Sequence, residues 1–283
     1  MQEAADTLGL IAGAGEFPGL VLRGAKRAGL RVVVVGLRGC CDPALGDEAD
    51  AYYEAGIARL GRWIRLLRRE QAYRAIMAGK VRKSRMLEVA SWRRWLAYLP
   101  DWTSIKVWYF RAPDRRNDTL LRAVGDEMQC KGITLVDSTQ YCPESLAEEG
   151  QLTRKGLSAA QSADADLGWK AAKEMGRLDV GQAVAVKDKD IIAVEAIEGT
   201  DAMIDRAGSL CRSGGWTLVK VAKPEQDMRF DVPTIGPDTI DRLASARAAA
   251  IVVEAGKTLV LDRPRTIDLA ETHGIAIVGR RGN

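Results

Sequence analysis

The sequence predicts an α/β protein of two domains: a Rossmann-like N-terminal domain and a distinct α/β C-terminal domain with a mixed sheet. Three observations predict it. The chain has 283 residues, and domains of ~100–200 residues make two the natural count. Short runs of Val, Ile, Leu and Ala alternate with stretches of helical spacing, the pattern of strand-helix-strand units. A polar, irregular passage near the middle separates residues 1–145 from residues 169–283, with 146–168 as the linker.

The first unit opens with a buried strand, Leu8 to Ile11, that enters the glycine turn Gly13-Ala14-Gly15. A helix from Phe17 to Ala28 follows, stopped by Gly29, and Arg31 to Leu37 is the next strand. This is a βαβ opening whose helix start offers backbone N–H groups to a phosphate. The pair Gly13-x-Gly15 lacks the third glycine of a dinucleotide fingerprint, and no acidic residue follows Leu37. Both omissions argue against NAD and leave a phosphate or nucleotide ligand. Ala75 to Val81 reads as another strand running into a Gly79-Lys80 turn, a second place where amides and an ammonium could meet a phosphate. Asn117 or Asp118 is placed to cap a helix carrying Leu120, Leu121, Val124 and Met128, with Gly132 as its stop. Ile133 to Val136 is then a strand, and Asp137-Ser138-Thr139 sits at its end, where open α/β sheets bind ligands.

The net charge of +4 hides an asymmetry. Residues 59–95 hold twelve Lys or Arg against Glu70 and Glu88, a surplus of ten that leaves the rest of the chain at six net negative. Leu60, Trp63, Ile64 and Leu67 recur at helical spacing while Arg59, Arg62, Arg65 and Arg69 fall elsewhere on the wheel. Such a basic amphipathic helix is either a solvated face over a packed helix or a surface for anionic lipid or a phosphorylated ligand. Trp63, Trp92 and Trp95 lie in the same segment. No helix-turn-helix, RNP or zinc-finger pattern accompanies the charge, so no nucleic-acid partner is expected.

From Tyr141 to Gly168 the text turns irregular, with Pro143, Gly150 and Gly156. The second half then alternates again. Strands are expected at Gln182–Lys187 and Ile191–Glu195, joined by a hairpin-like turn, and at Thr217–Ala222, Ala249–Val253, Thr258–Leu261 and Ile275–Val278, all in one mixed sheet. Helices fall near 201–208, 237–246 and 266–273. No apolar run approaches the ~20 residues that span a bilayer, and Met1-Gln2-Glu3 lacks the positive flank of a signal peptide. A cytoplasmic protein is expected.

Five cysteines without a Cys-x-x-Cys pair, together with a single histidine, His273, argue against a disulfide framework, a zinc site or a serine or cysteine triad. Any metal should be held by carboxylates and be a hard cation such as magnesium. Two acidic groups stand out. Lys223-Pro-Glu-Gln-Asp227-Met-Arg229-Phe-Asp231-Val-Pro233 is a proline-stiffened loop leaving a strand, and any extended part would point Asp227, Arg229 and Asp231 the same way. The alternative is a surface salt-bridge ladder. The second group, Glu195, Glu198, Thr200 and Asp201, ends a strand and opens a helix, which Thr200 or Asp201 could simply cap. Together the two loops could hold one magnesium and orient water while Lys187 and Lys223 offset phosphate charge, the composition of a phosphoryl-transfer site.

These stretches resemble the LpxI family of UDP-2,3-diacylglucosamine pyrophosphatases of lipid A biosynthesis. The resemblance rests on Gly9 to Gly15 with Pro18, on Gly79-Lys-Val81, on Asp118 to Val124, on Ala193 to Met203, and on Lys223 to Pro233 with Ile235-Gly-Pro237. It implies Mg2+-dependent hydrolysis of UDP-2,3-diacylglucosamine to UMP and 2,3-diacylglucosamine 1-phosphate, lipid X, with water directed to the sugar-side phosphorus and the lipid held between two domains. It further implies Asp227 as the catalytic carboxylate, with Asp227, Asp231, Glu195, Glu198 and Asp201 positioning metal or water. The matched motifs also make Asp118, Thr200, Lys223, Gln226 and Arg229 substrate-binding, beside Gly13, Ala14, Gly15, Gly79, Lys80, Ser138, Thr139 and Lys187. Glu225 stands where the family pattern has a small residue.

A substrate with two acyl chains sits in a leaflet, so the basic, Trp-bearing segment is expected to make the enzyme peripheral on the anionic inner membrane. A homodimer is the prior for an enzyme of this size. The rival readings are a non-hydrolytic nucleotide-sugar binding protein and an NAD-dependent oxidoreductase. The glycine turn and the proline-braced acidic loop are expected to face each other across a cleft.

Overall fold

A computed structural model of the chain describes residues 6–81, 100–111 and 117–282. They form two compact units, 1–142 and 143–283, each built around its own sheet. Trp92, Trp95, Glu88 and the basic residues Arg82, Lys83, Arg85, Arg93 and Arg94 of the charged segment lie outside the described residues.

In the first unit the order is β1 (Thr7–Ala12), α1 (Phe17–Arg27), β2 (Arg31–Leu37), α2 (Leu45–Glu48), β3 (Ala51–Ala55), α3 (Leu60–Arg69) and β4 (Arg74–Ala78). Then come α4 (Trp102–Lys106), a π-helical turn at Val107–Arg111, α5 (Asn117–Cys130) and β5 (Thr134–Leu135). The five strands are all parallel in the order β3-β2-β1-β4-β5, the half-Rossmann arrangement. The order reverses at β1, whose neighbours β2 and β4 lead the chain away in opposite directions. Parallel strands covered on both faces carry unbroken apolar text, and Val32 to Val35 are wholly buried.

Strand β3 and the short α2 are not foreseen by the sequence pattern. Ala51-Tyr-Tyr-Glu-Ala55 is an edge strand, half-exposed along most of its length, so its composition lacks the apolar signature of β1 and β2. Helix α3 follows the expected wheel, burying Leu60, Trp63, Ile64 and Leu67. The Asp101 carboxylate ties its first turn to that of α4. One oxygen accepts the Ser104 N–H at 2.9 Å, the other the Arg62 N–H at 3.2 Å, and the Ser104 hydroxyl in turn accepts the Leu60 N–H at 3.0 Å. One side chain therefore caps two helices.

The second unit contains a 3-10 turn at Pro143–Ser145, β6 (Gly150–Gln151), α6 (Ala159–Arg177), β7 (Ala183–Lys187), β8 (Asp190–Val194), α7 (Gly199–Leu210) and β9 (Thr217–Lys220). It continues with β10 (Thr234–Ile235), α8 (Pro237–Ser245), β11 (Ala250–Glu254), β12 (Leu259–Val260), α9 (Arg263–Thr272) and β13 (Ala276–Arg280). Six strands make the mixed sheet in the order β6-β13-β11-β9-β7-β8. Alternating side chains divide the core into two faces. Ala183, Ala185, Leu218, Ile251 and Ile277 pack with Met203, Ile204, Ile240 and Leu243 of α7 and α8 on one side. Val184, Val186, Val219 and Val252 pack against Ala165 and Ala172 of α6 on the other.

Two expectations are corrected. The stretch read as linker contains the start of α6, a 19-residue helix opened by a capping box between Ser158 and Gln161. Its Ser/Ala/Asp text is the polar exterior of a helix that covers the sheet through small residues, and a methyl on Gly168 would already stand 2.7 Å from Val219. The expected strand at Thr258–Leu261 does not join the main sheet. It pairs in parallel with Thr234–Ile235 as a separate two-stranded sheet, kept short because Pro233 precedes β10 and Gly236-Pro237 already opens α8.

Helix α1 packs so closely on the end of the first unit that a Cβ on Gly24 would overlap the Tyr141 carbonyl. Gly24→Ala should therefore destabilise the protein by about 1–3 kcal/mol, read as a lower urea midpoint, whereas Gly29→Ala meets no neighbour and should cost only the roughly 1 kcal/mol strain of an alanine at φ +80°.

Candidate active site

The two glycine turns of the first unit, far apart in sequence, meet at the carboxyl ends of β1 and β4. The Gly13 N–H donates to the Ala78 carbonyl at 2.8 Å, and Ala14 and Lys80 exchange both backbone bonds, at 2.9 and 2.8 Å. The approach is tight enough to require glycine twice. A Cβ on Gly13 would stand 2.9 Å from the Lys80 carbonyl, and Gly79, at φ +95°, would bring one 2.8 Å from the Ala14 carbonyl. The amides of Gly13 and Ala14 are thus spent on joining strand ends, where the sequence reading aimed them at a phosphate. Exposed Gly15 and the start of α1 remain beyond them. Among the described residues, the N–H groups of Glu16, Phe17 and Gly19 have no backbone acceptor. Lys80 is exposed on the same turn.

Ser138 and Thr139 follow β5 as expected but are buried, at 1% and 6% exposure. The Asp137 carboxylate accepts the Thr139 N–H and hydroxyl, both at 2.7 Å. This Asx turn makes the pair a closure of the strand end, with the Thr139 hydroxyl already committed. Asp118 lies in the first turn of α5, and its side chain lies outside what is described.

In the second unit, antiparallel pairing brings the start of β7 and the end of β8 to the carboxyl end of β9. The acidic loop leaves from that end, and Glu195, Glu198 and Thr200 follow β8 there. Lys187 ends β7 and is consequently at the opposite end of the sheet, where its ammonium donates to the Ser213 hydroxyl at 2.8 Å and the Gly214 carbonyl at 2.7 Å. Its expected partnership with Lys223 is not formed, because the hairpin reverses direction between them.

The loop from Lys223 to Asp231 is two successive turns and not an extended ladder. The Gln226 N–H reaches the Lys223 carbonyl at 3.0 Å, and the Asp227 carbonyl accepts the amides of Phe230 and Asp231 at 3.1 and 3.3 Å. Period-two alternation fails here because the chain curls at Met228–Phe230. Arg229 turns back on Asp227, its Nε 2.9 Å from Oδ1 and its terminal nitrogen 2.7 Å from Oδ2, and its guanidinium stacks on Phe230 at 4.9 Å. A bidentate pair of this kind fixes both side chains. Asp231 is exposed, and its carbonyl is held by the Gln226 amide. Lys223 is oriented by Asp179, at 2.6 Å.

The remaining carboxylates have protein partners too. Glu195 is buried, accepting the Gln182 N–H at 3.2 Å and the Thr200 hydroxyl at 2.8 Å, so it pins the start of α7 to β7. Glu198 pairs with Arg206 at 2.6 Å. Its carboxyl is held below the usual range first by the backbone amide at the helix start and then by that guanidinium. Asp201 is exposed and lies 3.8 Å from Arg242. Among the described residues no three His, Cys, Asp or Glu side chains converge as a metal cage. The five predicted ligands share an end of one sheet without forming a single donor cluster.

Two features of this end are absent from the sequence reading. The loop after α6 supplies Asp179, partner of Lys223, and Gln182, whose N–H reaches Glu195 and whose carbonyl accepts the Val221 N–H at 3.0 Å. At the root of the acidic loop, buried Glu254 accepts Lys173 at 2.5 Å, Lys257 at 3.1 Å and the Ala222 N–H at 2.8 Å, while Lys173 also donates to the Ala222 carbonyl at 2.9 Å. An acid at the end of Ala-Ile-Val-Val-Glu254 is the only signal the sequence offers for this junction, and its Lys173 partner lies on α6, whose start falls in the stretch read as linker.

Family models match in order along the chain: the LpxI N-terminal domain over residues 7–145 and the LpxI C-terminal domain over residues 148–278. The chain is 36% identical over 281 residues to the UDP-2,3-diacylglucosamine pyrophosphatase LpxI of Caulobacter vibrioides (strain ATCC 19089 / CIP 103742 / CB 15), covering 96% of each. Among solved structures, the biotin carboxylase-β,γ-ATP complex from Campylobacter jejuni has a TM-score of 0.25 at 14% identity, and the biotin carboxylase subunit of pyruvate carboxylase one of 0.27 at 13%. These alignments cover 74% of this chain but only 43% and 42% of those proteins, and at such scores they carry no argument.

Burial works against ionisation of Glu254, yet hydrogen bonds from Lys173, Lys257 and the Ala222 amide hold its carboxyl below the ordinary 4.5. Its stabilisation is therefore complete above about that pH and is lost as the pH falls below it. Glu254→Gln should cost about 1.5–3 kcal/mol near neutrality, and the gap to the unmodified protein should narrow in acid, as urea titrations across pH would show.

Proposed function

The chain belongs to the LpxI family, and from this premise we propose that it hydrolyses the diphosphate of UDP-2,3-diacylglucosamine in lipid A biosynthesis, yielding UMP and 2,3-diacylglucosamine 1-phosphate. The observation that carries the reading is the end-to-end match to a relative bearing that activity in its name, with 36% identity and 96% coverage of both chains. Scarcity of histidine fits it as well. Hydrolysis of a diphosphate expels a phosphate that is already anionic, so positioned cations and one carboxylate suffice without an imidazole.

Asp227 and Arg229 are the pair we assign to the chemistry. In the free protein they neutralise each other. A diphosphate competes for the guanidinium, whose fork matches two phosphate oxygens, and Arg229 moves to it, leaving Asp227 to take a water instead. That water attacks the sugar-side phosphorus, and its proton passes to Asp227. The bond from that phosphorus to the bridging oxygen breaks, and UMP departs with the oxygen. Lys223, presented by Asp179, adds positive charge on the same loop. Magnesium enters the proposal as a partner of the substrate. Such ions bind through one or two carboxylates plus phosphate oxygens, so a three-carboxylate cage is not required, and Asp227 is the carboxylate we assign to it. When bound, the ion offsets charge on the diphosphate.

The diacylated substrate calls for access to a leaflet. Among the described residues no helix is long and apolar enough to cross a membrane. Instead, α4 and the π-helical turn expose Trp102, Trp108 and Tyr109 at 76%, 48% and 71%, with Lys106 among them. Trp102 follows the Asp101 cap that joins α4 to the start of the basic helix α3. Aromatic rings beside arginines suit the headgroup level of an anionic surface, and we assign peripheral membrane contact to this face.

Asp227→Asn should reduce UMP release by about 10²–10⁴-fold without a comparable loss of substrate binding, measured by phosphate chromatography and equilibrium binding; retained turnover would remove Asp227 from the chemistry. Replacing Trp102 and Tyr109 together by Ser should lower flotation with anionic vesicles while leaving the melting temperature in place, and undiminished flotation would exclude this face.

A further inference from the structure

A pocket of about 160 Å³ in the first unit is lined by Arg38, Glu54, Ala55, Gly56, Arg59 and Arg62. It opens where the carboxyl ends of β2 and β3 lead toward α3, a place where open parallel sheets bind ligands. Arg38 follows Leu37 directly, and its N–H is fixed to the Ala55 carbonyl at 2.8 Å. The Gly56 carbonyl accepts the Arg59 N–H at 3.1 Å and the buried Trp63 indole at 3.0 Å, which sets the backbone floor and the start of α3. The lining side chains are three guanidinium groups against one carboxylate. Glu54 holds Arg38 at 2.9 Å, and Asp101 nearby caps the Arg62 amide at 3.2 Å.

The lining therefore carries a surplus of two positive charges in a space of small-anion size. A phosphate ester carries about −1.5 to −2 at neutral pH, a charge complementary to such a lining. Arginine is also the side chain whose planar fork fits phosphate oxygens. We propose that the Arg38–Arg59–Arg62 pocket is a phosphate-binding site that takes a phosphomonoester or diphosphate group. The group can come from a soluble nucleotide or sugar phosphate or from a phosphomonoester lipid headgroup. The pocket belongs to the 1–142 unit, whereas Asp227 belongs to the other. It requires no hydrolysis, and it stands whether or not Asp227 is the catalytic group.

Calorimetric titration of the full chain with UMP, inorganic phosphate and pyrophosphate tests it. Arg59→Gln/Arg62→Gln should weaken binding of at least one of these probes by tenfold or more, with an unchanged melting temperature. Glu54→Gln, which removes the competing carboxylate, should tighten it severalfold, and Asp227→Ala should leave that arginine-dependent component in place. Flotation with vesicles of phosphatidic acid or phosphatidylglycerol separates the sources. An arginine-dependent preference for phosphatidic acid assigns the headgroup, and UMP binding without that preference assigns the soluble ligand. No binding of any probe, binding indifferent to both arginines, or weaker binding in Glu54→Gln would overturn the proposal. Should the double variant fail to fold, the direction of the Glu54→Gln effect decides alone. Loss of UMP release with the arginine-dependent binding intact would count against the proposed hydrolysis and not against this pocket.

Discussion

The acidic loop of the second unit depends on one buried ionic junction. Glu254 ends β11 with almost no exposure and gathers Lys173, Lys257 and the Ala222 amide, while Lys173 holds the Ala222 carbonyl as well. A buried carboxylate with one partner removed is costly, so strand end, helix and loop root have to keep their places together. Ala222 is the residue before Lys223, and everything the loop presents starts from that anchored peptide. Two turns and Pro224 then leave it little freedom, which is how a segment without regular structure can hold Asp227 and Arg229 in a bidentate geometry.

The candidate carboxylates each have a protein partner. Asp227, Glu195 and Glu198 are engaged by Arg229, by Gln182 and Thr200, and by Arg206 respectively. Only the first of these partnerships lies within a loop and involves a cation suited to phosphate. Glu195 is different in kind: its two hydrogen bonds join β7, β8 and α7, so its burial is explained by architecture. This contrast separates a carboxylate held by a neighbouring loop side chain from one built into the joints of the fold.

Periodicity made the parallel strands β1, β2 and β4 and the amphipathic α3 legible, since each buries a regular set of apolar side chains. Edge strand β3 and helix α6 escaped for opposite reasons. The former is too exposed to look apolar, and the latter packs through Ala and Gly, which carry no amphipathic signal. In the acidic loop the family motif singles out Asp227 and Arg229, but that the two pair with each other is legible only in the folded chain, because a curled loop has no period. Lys187 was misplaced by reading charge along the chain without the hairpin reversal that carries it to the far end. Asp179 and Lys173 were invisible because their partners, Lys223 and Glu254, lie 44 and 81 residues away.

The single carboxylate of Asp101 serves the first turns of both α3 and α4. The tryptophan-bearing helix and the arginine-bearing helix are thereby latched at their roots, and a force on either one strains the latch of the other. Displacing Trp102 would therefore be felt first at the Arg62 amide, since one carboxylate holds the opening turn of each helix.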